Sequence, residues 1–332
     1  METSPVDLLV IGAGPVGLAC ALEAQRAGLS ARVVEKGALV NSLTGYPTGM
    51  EFFSTPELLR IGGHPFPTSR YKPSREEAID YYRGVAQAEG LDVRLLERVE
   101  GVEGERGAFR VVTGRGTHEA RAVVVATGFF DQPNLMGVEG EDLPHVAHYY
   151  REPYAFTGLD VVVVGAKNSS ARAALDLYRH GARVTLVVRG EGISPSVKYW
   201  IRPDLENRIK EGSIRARFAT TITGIRPGWV DMAGPGGPDT LPAERVLALT
   251  GYHPDCALLS SFGIDLEGPE QAPHFDPATM ETNRPGLYVA GTLCGGYATS
   301  RWFIENGRIH AVRIAAHAAG RPAPVEAPRE QP

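Results

Sequence analysis

Cysteine is scarce, with Cys20, Cys256 and Cys294 the only three in a chain of 332 residues. Thiols so few and so scattered exclude a disulfide framework and a cysteine-based zinc site, and no metal is expected. No run of about 18 apolar residues occurs, so no segment is long enough to span a membrane as a helix. Positive charge is not in excess. The 34 Lys and Arg stand against 39 Asp and Glu for a net charge of -5, which removes the basic footprint of a nucleic-acid binder. The opening METSPVD has no charged stretch followed by an apolar one, so no secretory signal is expected and the cytoplasm is the expected compartment. What the chain does have is length and apolar content: 332 residues suit two domains, and a 43% hydrophobic share can fill two cores.

The stretch Val6 to Lys36, VDLLVIGAGPVGLACALEAQRAGLSARVVEK, is the most informative. An apolar run from Leu8 to Ile11 has strand length, and the series Gly12, Gly14, Gly17 then precedes a helical pattern. Strand, tight turn and helix follow. Gly12 permits the turn, Gly14 lets a pyrophosphate approach the backbone, and Gly17 lets helix and strand pack closely. The helix N-terminus offers free N–H groups and partial positive charge. A second strand, Ala31 to Val34, delivers Glu35 where a carboxylate can accept hydrogen bonds from ribose hydroxyls. A dinucleotide site is the reading, against an ordinary glycine-rich turn.

Gly37 to Tyr71 is rich in Gly, Pro, Thr and aromatics and reads as a long irregular connection. Such a connection either carries binding contacts, Asn41 among them, or is a surface excursion packed by its own aromatics. Ser74 with Glu77 forms a capping box and predicts a helix to Glu89. Asp92–Leu96, Phe109–Thr113 and His118–Ala120 read as a small antiparallel excursion before a parallel strand, Arg121 to Ala126. Leu159 to Gly165, LDVVVVG, is another buried strand, followed by a turn, a helix and the strand Val184 to Val188. Here the glycine series is degraded, because Lys167 and Ser170 stand at its second and third positions. Arg189 ends that strand where Glu35 ends its counterpart. An arginine there suits a 2′-phosphate and argues for NADPH over NADH, with Lys198 assisting; otherwise it is a solvated strand-end charge. A helix is predicted around Pro203 to Lys210. The strands Ile214–Phe218, Thr221–Ile225 and Trp229–Met232 follow, the series ends in a Gly/Pro turn at Gly234–Pro238, and Arg245–Thr250 is the next strand.

Four motifs in order resemble the two-dinucleotide-binding flavoproteins that include thioredoxin reductase, over nearly the whole chain. They are the first glycine series, Ala126-Thr127-Gly128, the second nucleotide motif, and Ala290-Gly291. The resemblance implies an α/β fold with two Rossmann-like dinucleotide-binding domains, the NADPH domain at 129–250 inserted in an FAD domain made of 1–128 and 251–320. A flexible tail at 321–332 is expected. It implies FAD contacts from Gly12, Gly14, Pro15, Val16, Gly17, Glu35, Lys36, Asn41, Val99, Thr127, Gly128, Gly291, Thr292 and Ala298. NADPH contacts are implied for Gly165, Lys167, Asn168, Ser169, Ser170, Arg189 and Lys198. The family's ribityl-binding aspartate is missing, since Gly291 is followed by Thr292, whose hydroxyl bonds more weakly. The helix after this segment is expected to face the flavin's pyrimidine edge with its N-terminus.

Thioredoxin reductases carry a CxxC pair ahead of the second glycine motif, and no cysteine lies between Gly128 and Val161. The dithiol mechanism is excluded. The segments YPTGMEFFSTPELLRIGGHPF, KNSSARAALDL, SPSVKYWIRPDLE and CGGYATSRWFIENGRIHA resemble the YpdA-type bacillithiol disulfide reductases. That resemblance implies an NADPH-dependent FAD enzyme reducing a low-molecular-weight disulfide, with a small-molecule disulfide or a small redox protein as partner and a homo-oligomer as assembly. One departure matters: the family's proposed active cysteine falls on Val16. Cys294 is then the candidate catalytic thiol, activated by a following helix N-terminus, or else a small residue in a crowded turn. Cys20 reads as helix packing, and Cys256 as structural. Alternative readings are a ferredoxin- or flavodoxin-NADP reductase, a flavin monooxygenase, suggested by His145-Val-Ala-His148, and a non-enzymatic NADPH sensor.

Overall fold

Strand β1 (Val6–Ile11) is apolar on both faces, and Leu8, Leu9 and Val10 are fully buried. A strand with no polar face fits only inside a parallel sheet covered on both sides. In the computed structural model, which describes residues 4–322, β1 lies inside a larger sheet with a parallel neighbour on each side. Helix α1 (Pro15–Arg26) starts with proline at its first turn, where the missing N–H costs nothing. It leads to β2 (Ala31–Val34). Helix α2 (Arg75–Ala88) carries the capping box: the Glu77 N–H donates to Ser74 Oγ at 3.2 Å and the Ser74 N–H to Glu77 Oε2 at 2.8 Å.

The next strands are β3 (Asp92–Arg94), β4 (Val99–Glu103), β5 (Phe109–Thr113) and β6 (Gly116–Val125). Two expectations are corrected here. β3 is no part of an antiparallel excursion but pairs parallel with β2 at the sheet edge. The strands read separately as His118–Ala120 and Arg121–Ala126 are one ten-residue strand, β6. Its first half pairs antiparallel with β5, and its whole second half runs parallel to β1. Alternation in one half and a continuous apolar run in the other made one strand look like two.

Farther along come β7 (Asp160–Val164), α3 (Asn168–Arg179), β8 (Arg183–Val187), α4 (Arg202–Lys210), β9 (Arg215–Arg217) and β10 (Arg245–Ala248). They form a second parallel sheet in the order β9-β8-β7-β10, with Val146–Ala147 beyond β10. Side chains of β7 alternate between two cores. Val161 and Val163 pack with α3 residues such as Ala171 and Leu175, while Val162 meets Ile222, Val230 and Met232 of an antiparallel layer. That layer contains a strand the sequence reading missed. Gly237–Ala243 pairs with Gly228–Gly234, because the Gly234–Pro238 turn is a hairpin and not the end of the series. Finally β11 (Leu287–Val289) pairs parallel with β6, and α5 (Ile309–Ala318) follows.

The described residues divide into two compact units: one comprises those up to Gly45, Gly49–Gln132 and those from Tyr252 on, the other Tyr46–Thr48 and Pro133–Gly251. The second is inserted in the first, with crossings after Gln132 and Gly251 where the sequence reading gives 129–250. Both are α/β with Rossmann-like parallel sheets. The connection Gly37–Tyr71 contains only the short helices Asn41–Thr44 and Pro56–Leu59. Tyrosines of α2 pin it: Tyr82 Oη donates to Leu59 O at 2.8 Å, and the Tyr81 ring stacks on Phe66 at 4.2 Å. No helix among the described residues is long and apolar enough to cross a membrane. The tail expected to be flexible falls, from residue 323 on, outside the described residues.

Candidate functional site: two nucleotide-binding turns

In the first unit, Ile11 of β1, Val125 of β6 and Val289 of β11 lie side by side in parallel register. The loops leaving these strands must therefore emerge together. The first leaves through Gly12 at φ +108°, where a methyl group would stand 2.7 Å from the Ala126 carbonyl oxygen. At Gly17 a methyl would lie 1.9 Å from the Gly12 carbonyl oxygen, so α1 rests directly on the turn. Gly14 differs. Its backbone is extended at φ -70°, and a methyl there would meet nothing within 4 Å. As the N-cap it supplies no side-chain bond to the start of α1, and the space beside it is open. A pyrophosphate fits this cradle.

Glu35, just past β2, is buried, and both of its oxygens are in use. Oε2 accepts from the Ala13 N–H and Oε1 from the Gly37 N–H, each at 2.8 Å. Burial pushes this carboxyl above its usual pKa, while the two backbone bonds oppose that. Each oxygen retains a second acceptor position for a ribose hydroxyl. Lys36 and Asn41 are committed locally: Lys36 Nζ pairs with Asp131 at 2.7 Å, and Asn41 Oδ1 accepts from the Ala38 N–H at 3.2 Å. Val99 opens β4 and is buried.

The loops after β6 and β11 complete the locus. Gly128, at φ +70°, directs its missing methyl to within 3.5 Å of Thr292 Oγ1. Gly291, at φ +80°, does so to within 3.3 Å of the Val16 Cβ, and Gly307 to within 3.3 Å of the Gly291 Cα. Val16, Thr127-Gly128, Gly291-Thr292 and Gly307 thus converge from four parts of the chain. Pro15 stands beside Val16 at the start of α1, and Ala298 lies past the Gly291–Gly295 turn, its N–H donating to Gly295 O at 3.0 Å.

The sequence reading missed His310. The Gly291 N–H donates to its Nδ1 at 3.1 Å, and the side chain is fully buried. A histidine three residues past Gly307 in a helical stretch was the available signal, and it reads equally as core. Burial lowers its pKa from 6.5 to about 4. The unfolded chain therefore takes up this proton first as pH falls. Stability present above pH 6.5 is expected to drop as pH approaches 4, by up to about 3 kcal/mol for this group. Melting of apo protein across that window should show a smaller loss in His310→Asn than in the wild type.

Cys294 lies in the 3₁₀ turn Gly291–Gly295 and is 1% exposed, with its Sγ 3.9 Å from His310 Nδ1. Desolvation pushes this thiol well above its ordinary pKa. The thiolate expected here is corrected on two grounds. The thiol is buried, and no helix follows the turn directly, the next helical residues beginning only at Ile304. Cys20 is likewise buried with a raised pKa, and Cys256 opens the short helix Cys256–Ser261.

In the second unit, Val164 of β7, Val187 of β8 and Ala248 of β10 are aligned in the same way. Gly165 turns at φ +134°, where a methyl would stand 2.5 Å from Leu249 O and 3.1 Å from the Ser170 Cβ. Ser170 replaces a glycine because Gly165 leaves it room, and its Oγ donates to Lys167 O at 2.9 Å. Lys167 is the uncapped N-cap of α3, and both it and Ser169 are exposed. Asn168 spends its amide on a neighbouring loop: Nδ2 donates to Ser196 O at 3.2 Å and Oδ1 accepts from the Lys198 N–H at 3.0 Å. Lys198 Nζ lies 5.9 Å from the centre of the Trp200 ring. Arg189, exposed beyond β8, has no hydrogen-bond or ion-pair partner among the described residues.

Residues 9–291 match the family model described as pyridine nucleotide-disulphide oxidoreductase. The chain is 41% identical, over 94% of its length and 97% of the relative's, to the bacilliredoxin reductase Bdr of Bacillus subtilis (strain 168). Among solved structures, the bacillithiol disulfide reductase Bdr (YpdA) from Bacillus cereus superposes with a TM-score of 0.93 at 40% identity, covering 96% of this chain and 99% of that one. Thioredoxin reductase from T. acidophilum shares the fold, with a TM-score of 0.76 at 19% identity, covering 96% of this chain and 99% of that one. The chain therefore belongs to the pyridine nucleotide-disulphide oxidoreductase family, as a flavoprotein oxidoreductase with FAD as cofactor and NADPH as reductant.

Proposed function

We propose that the enzyme uses NADPH to reduce a disulfide, with electrons passing from the flavin to the acceptor and no cysteine of its own as relay. The observation that carries this reading is Val16. It occupies the position of the family's proposed active cysteine, packs against Gly291, and cannot form a mixed disulfide with a substrate thiol. The two cysteines that lie near each other there, Cys20 and Cys294, are both buried, and desolvation holds each as a thiol.

When bound, FAD accepts a hydride from the nicotinamide and gives two electrons to the acceptor. Gly12, Gly14 and Gly17 shape the cradle for its pyrophosphate, Glu35 takes the ribose, and Thr127-Gly128 with Gly291-Thr292 line the rest. Gly165, Lys167, Asn168, Ser169 and Ser170 form the NADPH turn, with Arg189 and Lys198 at the phosphate end. The balance is one NADPH and one proton consumed per disulfide, giving two thiols and NADP⁺. Two related names point to the acceptor: one relative is a bacilliredoxin reductase and another a bacillithiol disulfide reductase. The acceptor here is thus a low-molecular-weight thiol disulfide or the disulfide of a small redox protein.

Stopped-flow reoxidation of NADPH-reduced enzyme by a small disulfide, by ferredoxin and by oxygen tests the reading. Fast reoxidation by the disulfide is expected, and reoxidation by ferredoxin alone would sink it. Cys294→Ser should keep disulfide turnover within about threefold of the wild type, because a relay cysteine costs far more when removed. Complete loss of turnover with flavin reduction intact would restore the covalent route.

A further inference from the structure

We infer that His310 is a positioning residue for FAD: its neutral imidazole fixes the Gly291 N–H, and with it the turn that presents Thr292 where the family has an aspartate. The inference rests on the reading that Gly291-Thr292 lines the flavin's ribityl chain.

The last sheet bond of this segment is donated by the Ala290 N–H to Val125 O at 2.9 Å. The next N–H, of Gly291, lies past the strand in a left-handed turn and is buried, so it needs an acceptor of its own. His310 Nδ1 supplies it at 3.1 Å. Accepting there puts the ring proton on Nε2. That second nitrogen has no partner among the described residues, and the ring meets the Trp302 ring edge-on at 4.5 Å. A leucine would fill the same volume without burying an unpaired donor. What the imidazole adds is the acceptor at Nδ1.

The turn has little room to drift. Gly291 is backed by Val16 on one side and Gly307 on the other, and Thr292 Oγ1 lies near Gly128. Thr292 offers one hydroxyl in place of a carboxylate's two acceptor oxygens, so its contribution depends on being held in one place. A neutral histidine does this without placing a positive charge beside the cofactor.

The test titrates FAD into apo protein, followed by quenching of flavin fluorescence and by the flavin absorption envelope. His310→Leu should raise the FAD dissociation constant at least tenfold and shift the envelope. His310→Asn, whose Oδ1 stands near the place of Nδ1, should stay within threefold of the wild type. Wild-type affinity and envelope in His310→Leu would overturn the inference. So would equal loss in both variants, which makes the residue a matter of volume. Should His310→Leu fail to fold, the ¹⁵N shifts of wild-type imidazole decide: an unprotonated Nδ1 at neutral pH is required, and a protonated one overturns the proposal. Thr292→Val separates the underlying reading, since unchanged FAD affinity there would remove Gly291-Thr292 from the flavin site altogether.

Discussion

Gly14→Ala should give a well-folded apo protein that has lost FAD, and Gly17→Ala a protein that is damaged before any cofactor is added. The two substitutions add the same methyl three residues apart. At Gly14 it enters open space from an extended backbone, so the apo protein keeps its melting temperature. What it obstructs is the approach of a pyrophosphate to the backbone, and the FAD dissociation constant is expected to rise by about a hundredfold, some 2.7 kcal/mol. At Gly17 the methyl would stand 1.9 Å from the Gly12 carbonyl oxygen, so α1 must lift from the turn. Overpacking of that kind typically costs about 1–3 kcal/mol, and rigid backbone on the far side puts this case at or above the upper end. Apo melting curves and FAD titrations of both proteins check the contrast. Equal destabilisation of the two apo proteins would contradict the division of labour between these glycines.

Arg189→Ala should raise the NADPH KM by about tenfold to a hundredfold and leave NADH almost untouched. Arg189 is exposed, ends the strand next to the glycine turn, and has no protein partner among the described residues to lose. Its removal therefore carries little structural penalty. A phosphate contact made equally in ground and transition states changes KM more than kcat. Lys198, held through its backbone by Asn168, should give the same pattern more weakly when replaced by alanine. Steady-state kinetics with both nucleotides settle the point. A parallel loss with NADH would mean that Arg189 acts on the part the two nucleotides share.

Much of this was legible in the sequence because it is written at short range. The turn from β1 to α1, the capping box at Ser74 and Glu77, and the valine run of β7 each depend on spacings of a few residues, which the chain itself displays. Gly12 and Gly17 show the tight turn and the close packing that the glycine series predicts, and the space beside Gly14 is open. Errors arose where one element serves two partners. β6 changes from an antiparallel to a parallel neighbour midway, and the Gly234–Pro238 turn closes a hairpin with a strand whose glycine and prolines disguise it.

The sequence by itself determined the two strand-turn-helix segments, the missing dithiol, the valine at residue 16 and the arginine at 189, since each is a matter of which residue stands at a local position. Only the tertiary structure decided what surrounds them. It buries Cys294, brings Val16 against Gly291 and gives the Gly291 N–H to His310, because β1, β6 and β11 end in one register and deliver distant loops to one place. Burial and a partner 19 residues away are properties of packing. No spacing rule along the chain encodes them, and they set whether a thiol or an imidazole is free to react.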